Sequence, residues 1–202
     1  MPEAIAEAEL HIQAKEPGEI ELTVIVPARN EEDCLGACLE SLVAQSDEFF
    51  LLGRDWELLV VDDGSTDRTR SIAEGFAGVT VVDPAKLEKG WTGKANACWT
   101  AAQRARGRWL LFTDADTIHE SGNLRRAIHE AEKYNVGVLS YSPKQLVSGV
   151  WQRALMPLVF CELALAYPPE KSPIRNCGSR LPTGNFCWQA GRLTRRLAAM
   201  LR

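Results

Sequence analysis

Two short acidic turns stand out, and each closes a hydrophobic run. The first is Val60-Val61-Asp62-Asp63-Gly64-Ser65-Thr66-Asp67, and the second is Leu110-Leu111-Phe112-Thr113-Asp114-Ala115-Asp116. If the two runs are neighbouring strands of one parallel sheet, Asp62, Asp63, Asp114 and Asp116 meet at one edge. Carboxylates that close repel one another, and in a low-dielectric cleft the repulsion is costly. A divalent cation carrying a phosphorylated ligand relieves it, so the expected chemistry is that of a metal–nucleotide site. A simpler reading exists for each turn alone. Asp-Gly after a strand is ordinary turn chemistry, and Asp62 could serve the turn by bonding backbone amides. The second acidic turn tips the reading towards a site.

The elements that would position these residues are legible around them. Leu22-Thr23-Val24-Ile25-Val26 reads as a first strand, ending at Pro27-Ala28-Arg29-Asn30-Glu31-Glu32-Asp33. Asn30 is expected to cap a helix with an acidic first turn. Apolar residues recur along that helix at Leu35, Cys38, Leu39, Leu42 and Val43. Further strands are expected at Leu58 to Val61, Val79 to Val82, Trp109 to Phe112 and Val136 to Leu139. Between them lie helical patterns through Ile72, Ala73 and Phe76, through Ala95, Cys98, Ala102 and Ala105, and through Leu124, Ile128 and Ala131. Strand–helix alternation implies an α/β domain with a largely parallel sheet, whose ligands sit beyond the carboxyl ends of the strands.

Several rival chemistries fail on spacing. Gly93-Lys94-Ala95 lacks the Ser/Thr of a P-loop, and position 88 is Glu where that motif needs Gly. No GxGxxG follows the first strand, which removes a dinucleotide fold. His119 and His129 are too far apart to share a helix face at metal-ligand spacing, so surface or supporting roles are expected. Cys34, Cys38, Cys98, Cys161, Cys177 and Cys187 form no CxxC, and core filling in a reducing, cytoplasmic setting is expected of them. Trp91 and Trp99 read as packing, with Trp91, beside the Gly-containing loop, also a candidate ligand contact.

The chain of 202 residues carries 46% hydrophobic and 25% charged residues, enough for a core and an ordinary solvated surface. Its net charge of -4 gives no electrostatic reason to expect a nucleic-acid partner. Residues 1–20 are acidic and read as a solvated, flexible tail, without the basic start and apolar run of a secretory signal. Residues 21–145 are expected to form the ligand-binding domain. Residues 146–202 change character. Val147, Val150, Trp151, Ala154 and Leu155 recur at helical spacing, and the apolar stretch to Tyr167 reads as a buried helix or one lying on lipid. The end is basic, with Arg192, Arg195, Arg196 and Arg202.

The ordered set PARNEED, VVDDGSTD, KGWTGKANA and LLFTDAD resembles glycosyltransferase family 2 from about Leu22 to Tyr141, and more weakly to about residue 188. The resemblance implies a GT-A nucleotide-diphospho-sugar transferase fold, a mostly parallel Rossmann-like sheet flanked by helices, with an incomplete acceptor side. It implies a nucleotide-sugar donor, a UDP-sugar foremost, held by Mg²⁺ or Mn²⁺, with inversion at the anomeric carbon. Carried onto this sequence, Pro27, Arg29 and Glu31 line the nucleoside pocket. Asp63, beside Asp62, accepts a hydrogen bond from the base or ribose, Lys94 faces the diphosphate, and Asp114 and Asp116 are the DxD pair, Asp116 the direct metal ligand. The GWTGK element is most similar to the lipid-linked, hopanoid-associated branch. That implies a lipid or polyisoprenoid acceptor and peripheral contact with the inner face of the cytoplasmic membrane.

The chain departs from the family at the base. Inverting transfer needs a group to take the acceptor's proton, and the family draws it from an acidic motif beyond the DxD. Here no aspartate follows Asp116, and the carboxylates after Glu132 are Glu162, Glu170 and the chain terminus. Thr183-Gly184-Asn185-Phe186-Cys187-Trp188 resembles the element that precedes the motif. Two expectations follow: a truncated or frame-shifted product that binds donor better than it transfers sugar, or a base supplied by another group or chain. A nucleotidyltransferase is the third reading, disfavoured because PARNEED is not a Gly-rich loop.

Overall fold

The computed structural model describes residues 18–87, 89–141, 149 and 151, and the backbone of 185–189. Strands β1 (Leu22–Ala28), β2 (Trp56–Asp62), β3 (Val79–Val82), β4 (Trp109–Thr113), β5 (Val138–Ser140) and β6 (Asn185–Gln189) form one sheet in the order β3-β2-β1-β4-β6-β5. The first four are mutually parallel, whereas β6 runs antiparallel to both β4 and β5. Helices α1 (Leu35–Val43), α2 (Thr69–Glu74), α3 (Gly93–Arg104) and α4 (Asn123–Lys133) alternate with the strands.

Two apolar cores explain the layering. Leu22, Val24, Val26, Leu58, Val60, Trp109 and Leu111 point to one face, where Leu35, Leu39 and Leu42 of α1, Ala73 of α2 and Leu124 and Ile128 of α4 meet them. Ile25, Leu59, Val61 and Leu110 point to the other and meet Ala97 and Ala101 of α3. Because helices cover both faces, β1 and β2 are apolar along nearly their whole length rather than alternating. The small side chains of α3 let that helix lie close to the sheet.

At the amino ends of the strands a polar network ties β1 and β2 together. Glu57, only 7% exposed, accepts from the Thr23 hydroxyl (2.7 Å), the Arg106 backbone N–H (2.7 Å) and the Arg106 Nε–H (2.8 Å). A buried carboxylate is tolerable only when so fully paired. Gly107 donates its N–H to Thr23 Oγ1 (2.9 Å), and the chain passes so close to β1 that a Cβ there would sit 2.4 Å from the Thr23 nitrogen.

The structure corrects the sequence expectations in places. Asn30 does not cap α1: it adopts a left-handed φ of 54° and turns its side chain to the neighbouring loop. The helix begins four residues later than that cap implied, after Cys34 and without a side-chain cap, so the acidic residues 31–33 precede it. Phe76 lies beyond the end of α2, and β5 starts at Val138 rather than Val136. The Ile20 and Glu21 carbonyls accept from the Arg108 and Trp109 N–H groups. The other calls on residues 1–17, and most of those on 142–202, lie outside the described residues. Among the described residues no helix is long and apolar enough to cross a membrane.

Gly107→Ala is expected to destabilise the domain by about 2 kcal/mol, because backbone rather than a movable side chain must yield. Urea unfolding checks this, and an unchanged midpoint contradicts the close approach described.

Candidate functional site

The parallel register brings the chemistry together. Ala28 is level with Asp62 and Ile25 with Phe112, so β1, β2 and β4 end at one edge. A cleft of ≈350 Å³ opens there, lined by Pro27, Ala28, Arg29, Glu31, Asp63, Gly93, Lys94, Ala97, Asp114, Ala115 and Asp116. Pro27, Arg29, Glu31, Asp63, Lys94, Asp114 and Asp116 were all expected in the site. They come from four separate segments that only the fold unites.

Asp62 is not in the cleft. It is 6% exposed, its Oδ1 accepts the Ser65 N–H (3.0 Å), and Arg70 lies 3.5 Å from its Oδ2. Its side chain therefore holds the turn that presents Asp63. The same turn is stitched to the loop after β1. The Asn30 N–H donates to Ser65 Oγ (3.0 Å) and the Thr66 N–H to Asn30 Oδ1 (2.9 Å). The Glu31 N–H reaches Thr69 Oγ1 (2.8 Å), and the Glu32 N–H reaches Asp67 (3.2 Å). The Thr69 hydroxyl, first among several donors, holds the Asp67 carboxyl below the usual range. One wall of the cleft is thus a pair of cross-linked loops.

Two of the cleft carboxylates, Asp63 and Asp114, are not bare, which amends the argument from repulsion. Asp63 Oδ2 lies 3.7 Å from the Arg29 guanidinium, and Lys94 Nζ donates to Asp114 Oδ1 at 2.5 Å. Burial alone would lower the Lys94 pKa, but the hydrogen bond and charge of Asp114, helped by Cys98 and Asp116, raise it above the ordinary lysine value. No ion pair to Asp116 is formed among the described residues, and its side chain is exposed. Asp63 also packs against the start of α3. A Cβ on Gly93 would fall 2.3 Å from its Oδ2, so this motif glycine, to which sequence reasoning gave no role, keeps space for the carboxylate. Thr92 caps α3 by accepting the Ala95 N–H (3.3 Å).

The donor set suits a hard cation. Among the described residues no three His, Cys, Asp or Glu side chains form a complete cage. Asp114 and Asp116 nevertheless line the cleft with carboxylate oxygens, the chemistry a hard cation would use. Magnesium-type sites use one or two carboxylates plus substrate phosphates in this way. Burial, the largest cause in each case, pushes the thiols of Cys34 and Cys38 up to about 12 and that of Cys98 up to about 11, so among the described cysteines none is primed as a thiolate at neutral pH. Trp91 and Trp99 pack on each other, with ring centroids 6.1 Å apart, and neither lines the cleft.

Residues 23–198 match the description "Glycosyl transferase family 2". The chain belongs to that family. Among curated relatives of this family 2 chain, the 4,4'-diaponeurosporenoate glycosyltransferase of Staphylococcus aureus (strain MRSA252) is 38% identical over 138 residues, covering 65% of this chain and 34% of that protein. The match therefore spans a minor part of the relative's length. Among solved structures, the mannosyltransferase PcManGT from Pyrobaculum calidifontis in complex with GDP-Man and Mn²⁺ superposes with a TM-score of 0.59 at 25% identity, over 91% of this chain and 48% of that one. S. aureus TarS 1-349 in complex with UDP-GlcNAc gives 0.50 at 28% identity, over 65% and 37%. The GT-A fold class expected from the sequence is the one observed.

Sequence reasoning missed what holds the DAD loop. His119, expected at the surface or in a supporting role, is 4% exposed, with its Nε2 3.1 Å from the Thr113 hydroxyl. Burial pushes its pKa down to about 4, so it is neutral at physiological pH. Its contribution to stability is full above the unfolded value of 6.5 and is lost as pH falls towards 4, where the unfolded chain takes up the proton and the fold does not. That share amounts to about 3 kcal/mol. His119→Gln is expected to lack this part of the pH dependence in urea unfolding between those limits. Equal slopes for the two proteins contradict it.

Proposed function

We propose that this chain binds a nucleotide-sugar through a divalent cation, Mg²⁺ or Mn²⁺, and transfers the sugar with inversion to a lipid or polyisoprenoid acceptor. The observation that carries the reading is the convergence of Asp63, Lys94, Asp114 and Asp116 on one cleft at the carboxyl ends of β1, β2 and β4. A UDP-sugar is the favoured donor, supported by the UDP-GlcNAc complex of a family neighbour at 28% identity.

In this reading Pro27, Arg29 and Glu31 flank the nucleoside, and Asp63 accepts from its base or ribose. Asp114 and Asp116 hold the cation, Asp116 most directly. The cation, when bound, stabilises negative charge on the departing diphosphate. Lys94 adds a second positive charge at that place, and to do so it shifts from Asp114 towards phosphate oxygens. The acceptor class rests on a relative named for 4,4'-diaponeurosporenoate, a lipid-like carotenoid acid, and on the GWTGK resemblance to hopanoid-associated members. Contact with the membrane surface follows from such an acceptor.

One observation favours a second reading, donor binding without turnover. The carboxylates lining the cleft, Glu31, Asp63, Asp114 and Asp116, all sit on donor-side loops. NMR of products from an anomerically pure donor separates the two readings, since transfer with inversion yields the opposite anomer and mere binding yields none.

Calorimetry with UDP and Mn²⁺ tests the site itself. Asp116→Ala is expected to lose roughly ten-fold or more of the Mn²⁺-dependent affinity. Equal binding by both proteins overturns the metal site.

A further inference from the structure

The loop between β4 and α4 carries both DAD carboxylates, and α1 with the turn that follows it holds the loop from behind. Ser41 Oγ accepts the His119 N–H (3.0 Å) while donating to the Cys38 carbonyl (2.7 Å). Gln45, 7% exposed, donates through Nε2 to the Glu120 carbonyl (3.0 Å) and to the Ser41 carbonyl (3.0 Å). Its Oε1 accepts the Asn123 N–H (3.1 Å). The Cys38 thiol points at the Asp114 carbonyl (3.7 Å). Cys38 and Ser41 lie on α1 and Gln45 in the turn just after it, so one short segment reaches the loop at its start, middle and end.

Within the loop, the Thr117 N–H donates to the Asp114 carbonyl (3.2 Å) and the Asn123 N–H also donates to the Glu120 carbonyl (3.1 Å). Helix α4 follows Gly122, at φ 75°, and has no side-chain cap of its own. The first amides of a helix need partners outside it, and Gln45 gives the buried Asn123 N–H a second acceptor from a distant segment. The His119–Thr113 contact closes the loop onto the strand it leaves. Neither Ser41, Gln45 nor His119 lines the cleft.

We infer that Ser41 and Gln45 are positioning residues for the cation-binding loop, setting where Asp114 and Asp116 stand through the backbone of residues 114–123. The inference rests on the metal–nucleotide reading above. Groups that orient metal ligands from behind commonly change metal affinity by ten-fold or more when removed, because ligands must be held near their productive geometry before the ligand arrives. Ser41 and Gln45 touch the loop through buried or half-buried bonds, where an orphaned backbone group has few replacements.

Calorimetry with UDP in EDTA, then with UDP and Mn²⁺, tests the inference on wild type, Ser41→Ala, Ser41→Thr and Gln45→Ala, with melting temperatures recorded beside each. Affinity for UDP in EDTA is expected to be unchanged, since the nucleoside wall is stitched independently. The gain on adding Mn²⁺ is expected to fall roughly ten-fold in Ser41→Ala and Gln45→Ala, and to return in Ser41→Thr, which keeps the hydroxyl. A full Mn²⁺ gain in both alanine variants overturns the positioning role. So does an equal loss with and without Mn²⁺, which marks general damage. A wild type with no Mn²⁺ gain overturns the metal reading first, and the positioning role with it. If Gln45→Ala fails to fold, the Ser41 pair decides alone.

Discussion

The level ends of three parallel strands are the constraint on which the site depends. β1 lies between β2 and β4, and its pairing to each puts Pro27, Asp63 and Asp114 at one edge of the sheet. A slip of one residue would turn every side chain of a strand to the opposite face. The two apolar cores forbid that slip, because α1, α2 and α4 need Leu22, Val24 and Val26 on their side and α3 needs Ile25 on the other. The register is thus enforced by burial, and the chemistry follows from the register.

Above that edge the loops are held in different ways. The turn after β2 and the loop after β1 lock each other through Asn30, Ser65, Thr66 and Thr69. The loop after β4 is held by α1 and by a buried imidazole. Electrostatics then balance the cleft from within, with Arg29 near Asp63 and Lys94 on Asp114. A protein that supplies its own counter-cations keeps an acidic cleft folded without ligand. In the proposed reading those cations also stand where phosphate charge would arrive, close to the leaving group they would stabilise.

Much of this was legible in the sequence, for identifiable reasons. β1 to β4 are short apolar runs of β-branched, leucine or aromatic residues, and the residues after β2 and β4 are acidic, so local pattern was enough to place them. Seven of the expected site residues line the cleft, and Asp62 took the turn role that its Asp-Gly context also allowed. The rest was not legible because it depends on distant partners. Asn30 has the chemistry of a helix cap, but the loop after β2, 36 positions away, claims its side chain. β6 lies beside β4 although more than 70 residues separate them, and it carries no turn signal linking it to the sheet. Ser41 and Gln45 look like ordinary polar positions of an amphipathic helix. Only the packed structure shows that they reach the loop after β4.

The central claim is that loops from β1, β2 and β4 jointly grip one cation-bound nucleotide. A crystal structure of the chain with UDP and Mn²⁺ tests it most directly. The account predicts the base against Pro27, Arg29 and Asp63, and manganese between Asp116 and the diphosphate. Nucleotide density elsewhere on the molecule, or manganese away from the DAD loop, contradicts it.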